Sequence, residues 1–233
     1  MSFALPPIYP ITDKRLARRE DHLSILKDLV RGGARLVQIR DKSTPLKELL
    51  PDLFRCVDFA SRHGVILIVN DRCDLALSCG AAGVHLGQDD LPPDAARAIL
   101  GRRKFLGLSA HSLAEVRKAR NLPIQYIGFG PVYATSTKED AAPRVGLPRL
   151  AEACRVSRFP VAAIGGIGLK QVGEVLRAGA RSAAVISALM TAPSIARQME
   201  RFLEKAMETG STSSTRGSFQ ELHRARSRKI CEP

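Results

Sequence analysis

The chain has 233 residues, 45% of them hydrophobic, and its 36 Lys and Arg against 23 Asp and Glu give a net charge of +13 at pH 7. These figures suit one globular α/β domain of about 250 residues and argue against a spanning helix, because no apolar run approaches the ~20 residues that cross a bilayer. The N-terminus also lacks the charged and apolar segments of a secretory signal, so we expect a cytoplasmic protein with no membrane partner.

Two compositional features bear on partners and compartment. The basic charge suits either nucleic acid or phosphorylated substrates. Five cysteines, an odd number without a C-x-x-C pair, indicate reduced thiols rather than a disulfide framework. Residues 210–233 are polar and end in a run of Arg and Lys, so we interpret them as a basic, disordered tail that follows a catalytic domain of residues 1–209.

Short apolar runs alternate with amphipathic stretches along the chain, which is the pattern of strands followed by helices. The first strand is predicted at residues 8–13, and a helix follows at 22–33 that stops at Gly32-Gly33. Later strands are predicted at residues 35–42, 65–71, 83–90, 104–110, 125–132, 160–167 and 182–190, each before a helical stretch. Eight such units with short connections predict a single (β/α)8 TIM barrel of the α/β class. The alternative is an open doubly wound sheet, which is disfavoured because no glycine-rich turn follows the first strand.

Two aspartates follow predicted strands and are candidates for a metal site. Asp71 comes directly after the apolar run VILIVN, and Asp90 comes after GVHLGQD. The carboxyl ends of the strands share one rim in a barrel, so both carboxylates could face one opening and hold Mg²⁺, which prefers a few carboxylates with waters and phosphates. The alternative is that Asp71 caps the following helix and that Asp89 or Asp90 caps the one after it. Capping explains one aspartate per strand end, but it does not explain Asn70, Gln88 and the doubled Asp89-Asp90 as well.

A polar triplet alternates along the second predicted strand, with Gln38, Arg40 and Lys42 in the segment QIRDK. Alternation places the three side chains on one side of an extended segment. An amide and two cations aimed together would bind a polyanion, Arg through its fork of donors and Lys as a point charge. The alternative is a solvated charged loop in which Asp41 pairs with a neighbour.

Further anion-binding groups are predicted on the second half of the rim. They are the hydroxyl of Ser109, the loop residues Thr135, Ser136, Thr137 and Lys138, the backbone at Gly165 and Gly166, and the turn at Ile186 and Ser187. Loops after the seventh and eighth strands often bind phosphate in barrels, and the long loop after the sixth strand could be a lid or a plain surface loop. One anion pocket on Arg40, Lys42, Lys138 and a metal, and a second on backbone amides, would suit two phosphorylated substrates.

The histidines on this rim do not indicate catalysis by themselves. We interpret His85 as a hydrogen-bonded interior residue and His111 as a helix-start or surface residue, and no second histidine stands at metal-ligand spacing. The sequence shows no convincing nucleophile paired with a base, so we expect no covalent intermediate.

Seven short motifs occur in order between Tyr9 and Met190: QIRDK, NDRCDLAL, GVHLGQDDLP, GLSAHS, GPVYATSTK, AIGGI and AVIS. In this order they resemble the thiamine phosphate synthase family. The resemblance implies a barrel transferase that joins 4-amino-5-hydroxymethyl-2-methylpyrimidine diphosphate to a thiazole phosphate and releases pyrophosphate. It also implies a pyrimidine methyl cation that the thiazole nitrogen captures, a route that needs positioning and charge stabilisation more than a general base.

The resemblance also assigns residues by position. It places Gln38, Arg40, Lys42, Asn70, Ser109 and Lys138 around the pyrimidine diphosphate, Asp71 and Asp90 on Mg²⁺, and Thr135, Thr137, Gly166, Ile186 and Ser187 around the thiazole phosphate. Arg40, Lys42 and Lys138 would neutralise the leaving pyrophosphate. The chain departs from the family at Asp41 and Asp89, where Glu is more common, and at Arg181, where an acidic residue is common.

Two other functions stay open. A thiazole tautomerase shares this framework but carries a catalytic histidine near the end of the sixth strand, where this chain has Pro131. A non-catalytic barrel that binds anions or nucleic acid would suit the charge, but the few aromatic residues offer no stacking platform, so we expect no nucleic-acid partner. A carboxylated thiazole substrate and a homo-oligomer stay open as well.

Overall fold

The computed structural model describes residues 4–135, 137 and 143–211. Its strands are β1 (Ile8–Pro10), β2 (Leu36–Ile39), β3 (Ile66–Asn70), β4 (Gly83–Leu86), β5 (Phe105–Ala110), β6 (Tyr126–Phe129), β7 (Val161–Ile164) and β8 (Ser182–Val185). They form one parallel sheet in the order β1-β8-β7-β6-β5-β4-β3-β2, and a parallel bridge between Ile11 and Gln38 joins its two ends. The predicted (β/α)8 barrel is therefore confirmed.

Helical segments follow every strand. They are α1 (Lys14–Ala17), α2 (His22–Arg31), α3 (Leu46–Arg62), α4 (Cys73–Cys79), α5 (Pro93–Leu100), α6 (Leu113–Lys118) with a 3-10 turn at Ala119–Asn121, α7 (Gly146–Val156), α8 (Leu169–Arg177), α9 (Ser187–Met190) and α10 (Ile195–Ser211). The apolar stripe of each longer helix packs onto the strands, as Leu49, Leu53 and Cys56 do in α3. The core is thus the layer between strands and helices.

Several predicted strands extend past the ends that the structure gives them, since β2 ends at Ile39, β4 at Leu86 and β6 at Phe129. The predicted strand at 182–190 is too long, since β8 ends at Val185 and the helix α9 begins at Ser187. The short helix α1 was not predicted. It forms because the Asp13 carboxylate accepts a hydrogen bond from the Leu16 N–H at 3.0 Å and so caps a turn directly after the first strand.

The joint between β1 and β2 differs from the other seven. Each of the others is a ladder of three or four paired residues. This joint has the single Ile11–Gln38 bridge, supported by a hydrogen bond from the Thr12 N–H to the Gln38 carbonyl at 2.9 Å. The barrel is closed there by very few backbone hydrogen bonds.

Other sequence-based expectations concern the ends and the thiols. Among the residues described, no helix is long and apolar enough to cross a bilayer. Cys56, Cys73, Cys79 and Cys154 are free thiols, as predicted. The predicted tail from residue 210 onward lies outside the described residues except for the end of α10, so the boundary at residue 209 stays a prediction.

Candidate active site

The carboxyl ends of the strands open into one cavity of about 830 Å³. Twelve of the predicted site residues line it: Gln38, Arg40, Lys42, Asn70, Asp71, Asp90, Ser109, Thr135, Thr137, Gly166, Ile186 and Ser187. Lys138 and Ser136 lie outside the described residues. The two predicted anion-binding groups therefore share one cavity, with the cations and carboxylates on the β2–β4 side and the hydroxyls and glycines on the β6–β8 side.

The two predicted metal ligands meet at the mouth of this cavity. Asp71 has a left-handed backbone, with φ at 61°, which is uncommon for a residue with a Cβ, and its N–H donates to the His85 carbonyl at 2.8 Å. Asp90 accepts a hydrogen bond from the Gly87 N–H at 2.6 Å and lies within hydrogen-bond reach of Asp71. Burial and this neighbouring carboxyl raise the pKa of Asp90 above its ordinary value. The two carboxylates therefore lie together at this point, and the Asp71 carboxylate disfavours the charge of Asp90.

The capping alternative for these aspartates is wrong. The residue before α4 is Arg72 and the residue before α5 is Pro92, and neither helix has a side-chain cap. Instead, the Asp71 carboxylate forms an ion pair with the Lys42 ammonium. Both carboxylates are therefore available to the cavity.

The donor set at this point fits Mg²⁺. Within the described part of the chain, no three His, Cys, Asp or Glu side chains cluster as metal ligands, so the protein offers two carboxylates and no full cage. Mg²⁺ is commonly held by one or two carboxylates, with water and phosphate oxygens completing its shell. Asp71 and Asp90 could hold the ion in that way beside a phosphorylated ligand.

Arg40 faces the same side of the cavity and is incompletely paired. Its Nη1 lies 3.5 Å from Asp13 Oδ2, and the side chain is only 13% exposed. Its buried Nε has no hydrogen-bond partner among the residues described. A buried donor without a partner is costly, and an anion bound by the guanidinium fork would satisfy it.

A chain of hydrogen bonds crosses the barrel interior beneath the cavity, and we call it the floor network. It consists of Gln38, Tyr9, Tyr126, His85 and Ser109, joined by Gln38 Nε2 to Tyr9 Oη at 2.8 Å, Tyr9 Oη to Tyr126 Oη at 2.9 Å, Tyr126 Oη to His85 Nδ1 at 3.0 Å and His85 Nε2 to Ser109 Oγ at 3.0 Å. Burial raises the pKa of both phenols above the ordinary tyrosine value. The floor therefore includes two neutral phenols.

Two glycines make room for the floor network. A Cβ at Gly107 in β5 would lie 2.1 Å from Tyr126 Cζ and 2.5 Å from His85 Nδ1. A Cβ at Gly128 in β6 would lie 3.0 Å from His85 Cε1. Barrel interiors are usually filled by branched apolar side chains. Because Gly107 and Gly128 have no side chain, the Tyr126 and His85 rings occupy that space instead.

The floor network includes residues that the sequence did not assign to the site. Tyr9 and Tyr126 are fully buried and read as core in their apolar strands. The interpretation of His85 as a hydrogen-bonded interior residue is confirmed. The sequence shows no hydroxyl or thiol paired with a base, and the contact between the His85 ring and the Ser109 hydroxyl was therefore missed. The register pairs His85 with Gly107, two residues before Ser109, and this inward-facing periodicity was the available signal.

On the opposite side of the cavity, the loop after β6 packs directly onto the turn after β7. A Cβ at Gly166 would lie 2.4 Å from the Ala134 carbonyl oxygen, and its φ of 65° is in the left-handed region. The Thr137 N–H donates to Thr135 Oγ1 at 3.3 Å. His111 also lines the cavity, and its Nδ1 contacts the Gly130 carbonyl at 2.6 Å. This packing brings the threonine hydroxyls beside Gly166.

Comparisons with known proteins show the family to which the chain belongs. The model of the thiamine monophosphate synthase family matches residues 8–189. A thiamine-phosphate synthase of Persephonella marina is 42% identical over 201 residues, covering 86% of this chain and 95% of that protein, and one of Methanospirillum hungatei is 43% identical over 198 residues, covering 84% and 96%. The structure of a thiamine phosphate pyrophosphorylase of Pyrococcus furiosus has a TM-score of 0.80 at 32% identity and covers 87% of this chain and 96% of that chain. The chain therefore belongs to the thiamine monophosphate synthase family and is an enzyme of the transferase class.

Proposed function

We propose that the protein is a thiamine phosphate synthase of thiamine biosynthesis. It condenses 4-amino-5-hydroxymethyl-2-methylpyrimidine diphosphate with 4-methyl-5-(2-phosphoethyl)thiazole, or the carboxylated form of that thiazole, in a Mg²⁺-dependent reaction. The products are thiamine phosphate and pyrophosphate, and the carboxylated thiazole would in addition lose its carboxyl group as CO2. One cavity holds the facing pair of Asp71 and Asp90 beside Lys42, together with the Arg40 Nε, which has no partner among the residues described. This observation carries the proposal. Both substrates are small phosphorylated molecules, which agrees with a cytoplasmic location.

The β2–β4 side of the cavity would bind the diphosphate. The Arg40 guanidinium would offer its Nε–H and Nη–H donors to phosphate oxygens, and Lys42 would exchange its partner Asp71 for a phosphate oxygen. Mg²⁺ on Asp71 and Asp90 would act as a Lewis acid on the same phosphates. As the bond between the methylene carbon and the diphosphate oxygen breaks, its electron pair leaves with pyrophosphate, and Arg40, Lys42 and Lys138 would stabilise the negative charge.

The floor network and the β6–β8 side would hold the two rings in line. Gln38, Asn70 and Ser109 would bind the pyrimidine, while Thr135, Thr137, Gly166, Ile186 and Ser187 would bind the thiazole phosphate. The thiazole nitrogen then donates its lone pair to the pyrimidine methyl cation and forms the new carbon–nitrogen bond. That nitrogen carries no proton, so the step requires positioning and no general base.

The Ser109–His85 contact does not favour nucleophilic catalysis. In a catalytic triad the second ring nitrogen of the histidine donates to a carboxylate that orients it, whereas His85 Nδ1 contacts the neutral Tyr126 hydroxyl. We therefore assign Ser109 a binding role. The tautomerase alternative would need a histidine at Pro131, and the nearby His111 ring contacts the Gly130 carbonyl.

The test is the release of pyrophosphate and the formation of thiamine phosphate by the purified protein, with the pyrimidine diphosphate, the thiazole phosphate and Mg²⁺ omitted in turn. Product that requires all three components is expected. Lys42→Met should reduce the rate strongly, whereas Lys47→Met, on the exposed face of α3 outside the cavity, should not. Folded protein that forms no thiamine phosphate would overturn the proposal, as would pyrophosphate release that does not depend on the thiazole phosphate.

A further inference from the structure

A buried histidine joins the end of β1 to the loop that carries Arg40 and Lys42. The His22 side chain is 0% exposed. Its Nδ1 lies 2.9 Å from Thr12 Oγ1, and its Nε2 lies 3.0 Å from Asp41 Oδ2. Both ring nitrogens thus contact residues near the diphosphate side of the cavity, although His22 itself does not line it.

Asp41 organises the loop between β2 and α3. Its carboxylate accepts hydrogen bonds from the Ser43 N–H at 3.0 Å, the Thr44 N–H at 2.8 Å and the Thr44 hydroxyl at 2.7 Å. Burial opposes its ionisation, but the hydrogen bonds from His22, Thr44 and Ser43 hold the pKa of Asp41 well below its usual range. Asp41 stands between Arg40 and Lys42 in the chain, so fixing Asp41 fixes the backbone from which both cations extend.

Two contacts tie His22 to the segment that carries the cations. The ionised Asp41 accepts only, so His22 Nε2 carries the hydrogen that it donates. Thr12 Oγ1 accepts the Arg40 N–H at 3.2 Å and also contacts His22 Nδ1 at 2.9 Å. His22 therefore holds residue 40 through Thr12 and residue 41 directly.

We propose that His22 is a positioning residue for the diphosphate site, which through Thr12 and Asp41 sets where Arg40 and Lys42 meet the anion. This inference rests on the proposed function, because it assumes that Arg40 and Lys42 bind the diphosphate. The role of the ring is separable from the anchoring of α2. The His22 backbone N–H donates to the buried Asp52 carboxylate at 2.6 Å, a contact that any side-chain variant retains.

Two variants of this one position each keep one of the two ring contacts. In His22→Gln the side-chain amide reaches the place of Nε2 and can still donate to Asp41. In His22→Asn it reaches only the place of Nδ1 and leaves Asp41 without that donor. His63→Asn is the matched control, because His63 is an exposed histidine at the end of α3, away from the cavity.

The experiment measures binding of inorganic pyrophosphate with Mg²⁺ by calorimetry, and the KM for each substrate. H22N should weaken pyrophosphate binding about tenfold or more, the usual effect of losing a residue that orients a ligand-binding group. It should raise the KM for the pyrimidine diphosphate similarly and leave the KM for the thiazole phosphate unchanged. H22Q keeps the Asp41 contact and loses the Thr12 contact, so it should lose clearly less than H22N, and H63N should stay near wild type.

Three results would overturn parts of this reasoning. Wild-type pyrophosphate binding by H22N would overturn the inference alone, and so would equal losses in H22N and H22Q or an equal rise in both KM values. Wild-type protein that binds no pyrophosphate would overturn the proposed function and the inference with it. If H22N does not fold, Asp41→Asn tests the same link together with the other contacts of Oδ2, the Thr44 hydroxyl and the Lys14 ammonium. Its Oδ1 keeps the Ser43 and Thr44 N–H bonds. D41N should show the same selective loss, and wild-type binding would refute the link.

Discussion

Replacing Asp90 by Asn should have opposite effects on the metal-free and the ligand-bound protein. Burial and the neighbouring Asp71 raise the pKa of Asp90, so two charges at this point cost folding free energy. Two like charges about 4 Å apart repel by roughly 4 kcal/mol at an effective dielectric constant of about 20. The Gly87 N–H and the Lys42 ammonium oppose this effect, and solvent screens it further, which leaves a gain of about 1 kcal/mol for the neutral amide.

The expected shifts follow from the size of the chain. Metal-free D90N should melt about 2–4 °C above wild type, the change that ~1 kcal/mol produces in a chain of this length. With Mg²⁺ and pyrophosphate at about a hundred times Kd, wild type should gain about 2.7 kcal/mol, or roughly 5–10 °C. D90N should gain almost none of this, because one of the two proposed metal ligands is gone.

Thermal unfolding followed by circular dichroism, in EDTA and then with Mg²⁺ and pyrophosphate, tests both effects. Asp94→Asn is the control, because Asp94 is exposed in the first turn of α5 and lies outside the cavity. It should keep the full ligand-induced shift. D90N that melts below wild type in EDTA would refute the repulsion argument, and D90N that keeps the full ligand-induced shift would refute the metal assignment.

Two further predictions concern the floor network and the loop after β6. Gly107→Ala should cost about 1–3 kcal/mol of unfolding free energy and lower the rate of pyrophosphate release, because its Cβ would lie 2.1 Å from Tyr126 Cζ. Gly173→Ala in α8, where the Cβ would lie 3.0 Å from the end of the flexible Arg177 side chain, should cost less in urea denaturation. Equal costs would contradict the steric argument. Lys138→Ala should slow single-turnover pyrophosphate release about a hundredfold if the Lys138 ammonium stabilises the negative charge of the leaving pyrophosphate. Lys170→Ala, on the exposed part of α8, should leave the rate unchanged. An unchanged rate in K138A would remove Lys138 from the mechanism.

Local sequence patterns were sufficient for most of the barrel. The continuous apolar run before Asn70 could only be a strand covered on both faces, and the stripe in α3 has the spacing of a helix. The end of β8 could not be found in this way, because SAAVISALM stays apolar through both the strand and the short helix α9. The spacing of apolar residues does not show where a strand ends and a helix begins when both are buried, as β8 and α9 are.

The rim of the site was predictable, but its support was not. Arg40, Lys42, Asp71 and Asp90 follow strands, and strand ends meet at one rim in a barrel. The floor network and His22 depend on contacts between residues far apart in the chain, such as His22 with Asp41 and Tyr9 with Tyr126. From the sequence alone, a tyrosine or histidine inside an apolar pattern is predicted to be a core residue. Only the folded structure shows which polar atoms its side chain contacts.

The sparse joint between β1 and β2 has a consequence for how the protein opens. Local opening concentrates where few backbone hydrogen bonds must break, and here that place is also where Arg40 extends toward the cavity and Thr12 bonds to its N–H. An anion held by Arg40 would bind only the closed form, so it would stabilise the closed joint between β1 and β2. Substrate binding and completion of the barrel would then be one event, and slower hydrogen exchange at the Thr12 and Arg40 amides would record it.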